Sequence, residues 1–245
     1  MLYDFCDTCY LKSDCRRLTG EIDNSQVLPD FCFPHKVAEH NLALANIPLR
    51  FQKARRDDYK EGSVLREHIN DVLDRLLDGE QGIFICYTGS VTGTGKTHCA
   101  ATILNHYLIS TLRKRIGNKE DLFQDTPLVY FVDYALLVDT LRDRYSDSYD
   151  ATLMENAFNV PLLLLDDVGS GKMSDYAREQ TNILINHRYG NNLSTIITSN
   201  LTLEELSEPT VLGKRVVSRM SDGAEIINFC SSDRRVPKSI FSVRN

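Results

Sequence analysis

Apolar positions along the chain follow two alternating periods. In "SVLREHINDVLDRLLDG", Val64, Leu65, His68, Ile69, Val72, Leu73, Leu76 and Leu77 fall on one helical face, and Gly79 stops the run. "GIFICYT" is then a short unbroken apolar stretch, as expected of a buried strand. "KTHCAATILNHYLISTLRKR" returns to a helical pattern. "PLVYFVD" predicts a second buried strand, followed by helices through "YALLVDTLRDRY" and "ATLMENAFN". "PLLLLDDVG" is a third strand that ends in two carboxylates. The helix "SDYAREQTNILINHRYG" follows, with Ser174 as its cap and Gly190 as its stop. "STIITSN" is a fourth strand. The short helix "LTLEEL", a helix through "LGKRVVSRM", the strand "AEIINFC" and a final short "SIFSV" complete the chain. Strands alternating with helices predict an α/β fold with a parallel sheet.

Composition narrows the possibilities. At 245 residues, with 42% hydrophobic and 25% charged residues, the chain can bury one good core and carry a small appendage. A net charge of −6 argues against a protein that coats DNA by bulk electrostatics, though it permits a local basic track. Each short basic cluster, such as Arg55-Arg56 or Arg113-Lys114-Arg115, reads on its own as solvated surface. No apolar run reaches the length of a membrane span, and the N-terminus shows no secretory pattern. The expected location is the cytoplasm, where disulfides are unexpected.

In a parallel sheet, ligands gather at the carboxyl ends of the strands, and three such ends carry chemistry. The first is "YTGSVTGTGKTH". Gly93, Thr94, Gly95, Lys96 and Thr97 match the end of a phosphate-binding P-loop between a strand and a helix. Such a loop turns backbone N–H groups and a helix N-terminus toward phosphates. Lys96 would reach the β- and γ-phosphates of ATP, and the Thr97 hydroxyl would ligate Mg²⁺. The start of the loop departs from G-x-x-x-x-G-K-[ST]. Either Gly89 begins it and Thr92 is an extra residue, or Ser90 stands at the first glycine's place. At the second strand end, Asp166 would belong to the Mg²⁺ shell and Asp167 would activate water. Asp167 is one methylene shorter than the more usual Glu, which predicts slow hydrolysis. At the third, Asn200 would orient the attacking water or touch the γ-phosphate; as an isolated residue it serves equally well as a cap for "LTLEEL".

The first ~45 residues form a different unit, too small to build a hydrophobic core unaided. They hold four of the seven cysteines. Cys6, Cys9, Cys15 and Cys32, with His35 as a substitute for one of them, offer five ligands for the four positions of a Zn²⁺ site. An iron–sulfur cluster is the alternative use of such thiolates. Cys86, Cys99 and Cys230 read as small core residues.

"SVTGTGKTH", "LLLLDDVG", "YAREQTNILINHRY", "TIITSNLTLEEL" and "LGKRVVSRM", in this order, resemble the DnaC/DnaI helicase loaders and the related IstB transposition ATPases. These are AAA+ proteins. The upstream "IPLRFQKARRDDY" also resembles the segment leading into their ATPase core, so the likeness covers about residues 46 to 236. The resemblance implies an AAA+ P-loop core with a five-stranded parallel sheet over residues 46–245, after an N-terminal module over 1–45. It also implies ATP bound between neighbouring subunits, with Arg219, or Arg215 one turn earlier, acting as an arginine finger in the next subunit's site. Arg235 would be the C-terminal sensor arginine. Arg142, Arg144 and Tyr145 would meet single-stranded DNA. The metal module would grip a DnaB-type hexameric helicase. The implied setting is the bacterial cytoplasm, for a chromosomal, phage or mobile-element gene. The rival implications are an IstB-like transposition helper and a nucleotide-binding adaptor with little hydrolysis.

Overall fold

The computed structural model describes residues 33–118, 120, 125–142, 151–170 and 174–229. Five strands form one parallel sheet: β1 (Phe84–Thr88), β2 (Val129–Asp133), β3 (Leu162–Asp166), β4 (Ser194–Thr198) and β5 (Glu225–Asn228). Their order across the sheet is β2-β3-β4-β1-β5. The helices are α1 (Phe33–Leu44), α2 (Val64–Leu77), α3 (Lys96–Asn118), α4 (Tyr134–Arg142), α5 (Ala151–Asn159), α6 (Asp175–Gly190), α7 (Leu203–Leu206) and α8 (Lys214–Met220), with a 3-10 turn over Arg56–Asp58. β1 to β4 follow apolar runs in the sequence, whereas β5, at the sheet edge, alternates half-buried and exposed positions; "SIFSV" lies outside the described residues. None of the helices described is long and apolar enough to cross a membrane.

The unbroken apolar runs reflect burial on both sheet faces, where successive side chains alternate between two cores. Ile85, Tyr87, Val129, Phe131, Leu162, Leu164 and Ile196 join residues of α1, α2 and α3 on one face. Phe84, Cys86, Tyr130, Val132, Leu163, Leu165 and Ile197 join α4, α5, α6 and α8 on the other. The amphipathic face expected of α2 is seen at Ile69, Val72, Leu73 and Leu76, whereas Val64, in the first turn, is 81% exposed.

Two boundaries differ from expectation. Residues 33–45, assigned from sequence to the small N-terminal unit, are part of the main body. Val37, Leu42 and Ala45 of this segment lie in the α2–α3 core. The Ala45 carbonyl accepts from Phe131 N–H at 2.9 Å, and the Asn46 amide donates to Phe131 O at 3.0 Å. The end of α1 thus covers backbone groups of β2, an edge strand that would otherwise leave them unpaired. Gly190 is the last residue of α6 rather than its stop; Asn191 is the C-cap, and Asn192 takes the left-handed conformation (φ 53°). Ser174 does cap the start of α6, accepting from Ala177 N–H.

A fully buried arginine locks α6 to the sheet. Arg188 donates to Thr195 Oγ1 (2.9 Å), Ser194 O (2.6 Å) and Ala157 O (2.9 Å), tying α6 to the start of β4 and the end of α5. Burial lowers its pKa to about 9. Removing the guanidinium strands buried carbonyls, each worth about 1–3 kcal/mol. Arg188→Met is therefore expected to lose about 2–4 kcal/mol in urea unfolding. A loss below about 1 kcal/mol would show that this clamp is dispensable.

Candidate nucleotide-binding site

The C-terminal strand ends open into a cleft of about 840 Å³. It is lined by Gly93 to Thr97 together with Asp133, Asp166, Asp167, Thr198 and Asn200. The loop between β1 and α3 answers the question of its first glycine. Gly89 has φ 143°, and a Cβ there would sit 2.5 Å from Phe229 O, so no other residue fits without displacing backbone. Ser90 is exposed. Gly89 therefore begins the loop, which carries one residue more before Gly95 than the common pattern. Gly93 (φ 72°) and Gly95 (φ 103°) supply the left-handed turns that lead into α3. The first turn of α3 holds no acidic residue, which leaves its N-terminal positive potential open to an anion. Lys96 is buried, and its Nζ donates to Gly89 O (2.8 Å) and Val91 O (2.9 Å), so the ammonium is held beneath the loop.

Opposite the loop, the end of β4 holds the end of β3. Asp166 Oδ1 accepts the Thr198 hydroxyl at 2.6 Å, and the Thr97 hydroxyl bonds the same carboxylate. Burial raises the Asp166 pKa, with the neighbouring Asp167 and Asp133 adding to it; the Thr198 and Thr97 hydrogen bonds oppose the rise. Asp167 adopts φ 59°. Its N–H donates to Thr198 Oγ1 (2.8 Å), and its Oδ1 accepts the Asn200 amide (2.6 Å). Asn200 is thus turned to the carboxylates and does not cap α7; that cap is Thr202, in a reciprocal box with Glu205. A hydroxyl and a carboxylate in contact beside a phosphate-type loop are the hard oxygen donors that suit Mg²⁺.

Residues 37–229 match the protein-family model described as IstB-like ATP binding protein. The chain belongs to that family. It is 30% identical over 147 residues to the replicative helicase loader DnaC of Escherichia coli (strain K12), covering 60% of this chain and 53% of the relative. The IstB-like chain therefore spans about half the length of the curated relatives it matches. Among solved structures it resembles the crystal structure of the DnaC helicase loader (TM-score 0.57, 26% identity, 74% of this chain and 99% of that chain). AMPPCP-bound DnaA from Aquifex aeolicus shares the fold (TM-score 0.54, 20% identity, 74% and 51%). The five-stranded parallel α/β fold is thus of the AAA+ kind.

The remaining candidates of this IstB-like chain fall in three places. Arg219 on α8 donates to Asn186 on α6, Arg215 is exposed, and neither lines the cleft of its own chain. His35 lies on α1, half-buried, and burial lowers its pKa. Cys6, Cys9, Cys15, Cys32, Arg144, Tyr145 and Arg235 lie outside the described residues, as does the side chain of Arg142. Among the described residues no cluster of His, Cys, Asp or Glu is arranged to hold a metal by itself.

Three cleft features escaped the sequence reading. Asp133 ends β2 beside Asp166, in the same apolar-run-then-acid pattern as "LLLLDD"; its Oδ1 also accepts from Ala135 N–H (2.9 Å) at the start of α4. Thr198 lies inside "TIITSN", where nothing in the strand pattern sets it apart. At the mouth, the Tyr59 hydroxyl meets His98 Nδ1 (3.0 Å), and Asp58 meets His98 Nε2 (3.1 Å), joining the lead-in segment to the first turn of α3. The loop geometry predicts that Gly89→Ala lowers stability by about 1–3 kcal/mol. Ser90→Gly is expected to stay within about 0.5 kcal/mol of the parent. Thermal melts of both variants check which residue begins the loop.

Proposed function

We propose that the chain is an ATP-dependent loader that binds a DnaB-type hexameric helicase and helps deposit it on single-stranded DNA at the start of replication. One observation carries the enzymatic part: Lys96, Thr97, Asp166, Asp167 and Asn200 meet in one cleft between the strand ends. Lys96 binds the β- and γ-phosphates. Thr97 and Asp166 hold Mg²⁺, which when bound neutralises phosphate charge. Asn200 orients a water, and Asp167 takes its proton as the water oxygen bonds to the γ-phosphorus. The bond from that phosphorus to the bridging β–γ oxygen breaks, leaving ADP and inorganic phosphate. The short Asp167 side chain makes this turnover slow.

The loader role is supported by the likeness to DnaC. Subunits associate through their ATP sites, with Arg219, or Arg215 as the alternate, completing the neighbour's site and Arg235 acting as sensor. That neither Arg215 nor Arg219 lines its own cleft supports an action in trans. The arginine must leave Asn186 to do so. The cysteine module binds Zn²⁺ through Cys6, Cys9, Cys15 and Cys32, with His35 as substitute, and grips the helicase in the bacterial cytoplasm. Arg142, Arg144 and Tyr145 contact single-stranded DNA through phosphate charge and base stacking. The family description favours one second reading, an IstB-like helper whose partner is a transposase.

Phosphate release tests the enzyme. Lys96→Ala and Arg219→Ala are each expected to lower turnover at least about tenfold, since an arginine finger alone is worth about 10³–10⁵. Unchanged turnover in both would overturn the site assignment. Association is tested by co-purification with a replicative helicase. The full chain should retain it, and a chain lacking residues 1–32 should not. The deletion stops before α1 because α1 belongs to the core. Association of the full chain with a transposase in place of the helicase would favour the second reading. Elemental analysis should find zinc bound to the purified chain; finding neither zinc nor iron would remove the metal module.

A further inference from the structure

We propose that Thr198 is a positioning residue for the metal–nucleotide site, holding Asp166 for Mg²⁺ and fixing the turn that presents Asp167. The inference rests on the ATP-site reading above and extends it to a residue that has no role there.

The hydroxyl of Thr198 accepts one hydrogen bond and donates another within the site. It is 2% exposed. The Asp167 N–H has only donation available, so Thr198 Oγ1 accepts at 2.8 Å. Its own proton then goes to Asp166 Oδ1 at 2.6 Å, a short bond to a carboxylate. One hydroxyl therefore reads both neighbouring acids, one through its side chain and one through its backbone. The backbone at Asp167 is in the left-handed region (φ 59°), where a non-glycine residue persists only under restraint from its surroundings. The end of β4 supplies that restraint. Thr198 O accepts from Val168 N–H at 2.8 Å, and the Ser199 hydroxyl donates to Val168 O at 2.6 Å.

The consequence concerns geometry at the metal. With Oδ1 tied to Thr198, rotation of the Asp166 carboxylate is restricted, and its face toward Thr97 is preset for a cation. Outer groups that orient a metal-binding carboxylate are commonly worth about 10–100-fold in metal affinity. Asn200, two residues further along the same chain end, holds the Asp167 carboxylate in parallel.

The test is titration of a fluorescent ATP analogue into the full-length chain, with Mg²⁺ and separately with EDTA. Thr198→Ala and Thr198→Ser both lose the buried methyl group, and only Ser keeps the hydroxyl. Thr198→Ala is expected to bind the analogue about tenfold more weakly in Mg²⁺, with little change in EDTA. Thr198→Ser should stay within about twofold of the parent in both. Thr198→Val, which keeps the shape but not the hydroxyl, should behave like Ala. Equal weakening of Ala and Ser, equal losses with and without Mg²⁺, or parent-like binding by Ala would each overturn the proposal. Lys96→Ala in the same assay separates the two layers. If it loses affinity while Thr198→Ala does not, only the role of Thr198 fails. If Lys96→Ala binds like the parent, the cleft is not the nucleotide site and both readings fall.

Discussion

A parallel sheet buried on both faces has little room for polar groups except at its strand ends. Everything at the cleft depends on that constraint. β1, β2, β3 and β4 carry apolar side chains to both cores and then end, at neighbouring positions, in a loop, Asp133, Asp166 and Thr198. The carboxylates sit at the border of the core, so each needs partners. Thr97 and Thr198 supply them for Asp166, and Asn200 supplies one for Asp167. The result is a cluster of carboxylates close to the buried ammonium of Lys96, at the polar rim of an otherwise apolar sheet.

The same packing explains how the loop between β1 and α3 accommodates an extra residue. Its two ends are fixed by the fold: Gly89 is wedged against Phe229 beside β5, and Lys96 opens α3, which runs along the sheet. Between them the additional residue falls in a stretch where Ser90, Val91 and Thr92 face solvent. The half that turns toward the cleft, Gly93 to Thr97, keeps its glycines at left-handed positions. Length can change at the exposed half because neither anchor moves.

Much of this was legible in the sequence, for physical reasons. Buried parallel strands must be apolar throughout, so "GIFICYT", "PLLLLDDVG" and "STIITSN" announced themselves, and their polar ends pointed to the cleft. Ser174 announced the start of α6 because an unsatisfied helix N-terminus calls for a side-chain oxygen. What escaped depended on contacts between residues far apart in the chain. Thr198 looks like any strand threonine until β3 lies beside β4. Nothing local to Arg188 marks it as buried; it is fully buried because Ala157 and Ser194 bring carbonyls to it. The sequence allows two positions for the first glycine, and only the contact with Phe229, which excludes a side chain at Gly89, decides between them. The stripe of Val37, Leu42 and Ala45 follows directly on the cysteine-rich segment, so sequence alone does not separate α1 from it, although α1 packs in the main core.

This cleft is proposed to bind a metal–nucleotide complex through its strand ends. A crystal structure of the chain with Mg²⁺ and a non-hydrolysable ATP analogue tests it most directly. Phosphates are expected against Gly93 to Thr97, with Mg²⁺ held by the Thr97 hydroxyl and the Asp166 carboxylate, directly or through water. Nucleotide bound elsewhere, or a metal that leaves Thr97 and Asp166 in contact with each other and apart from it, would contradict it.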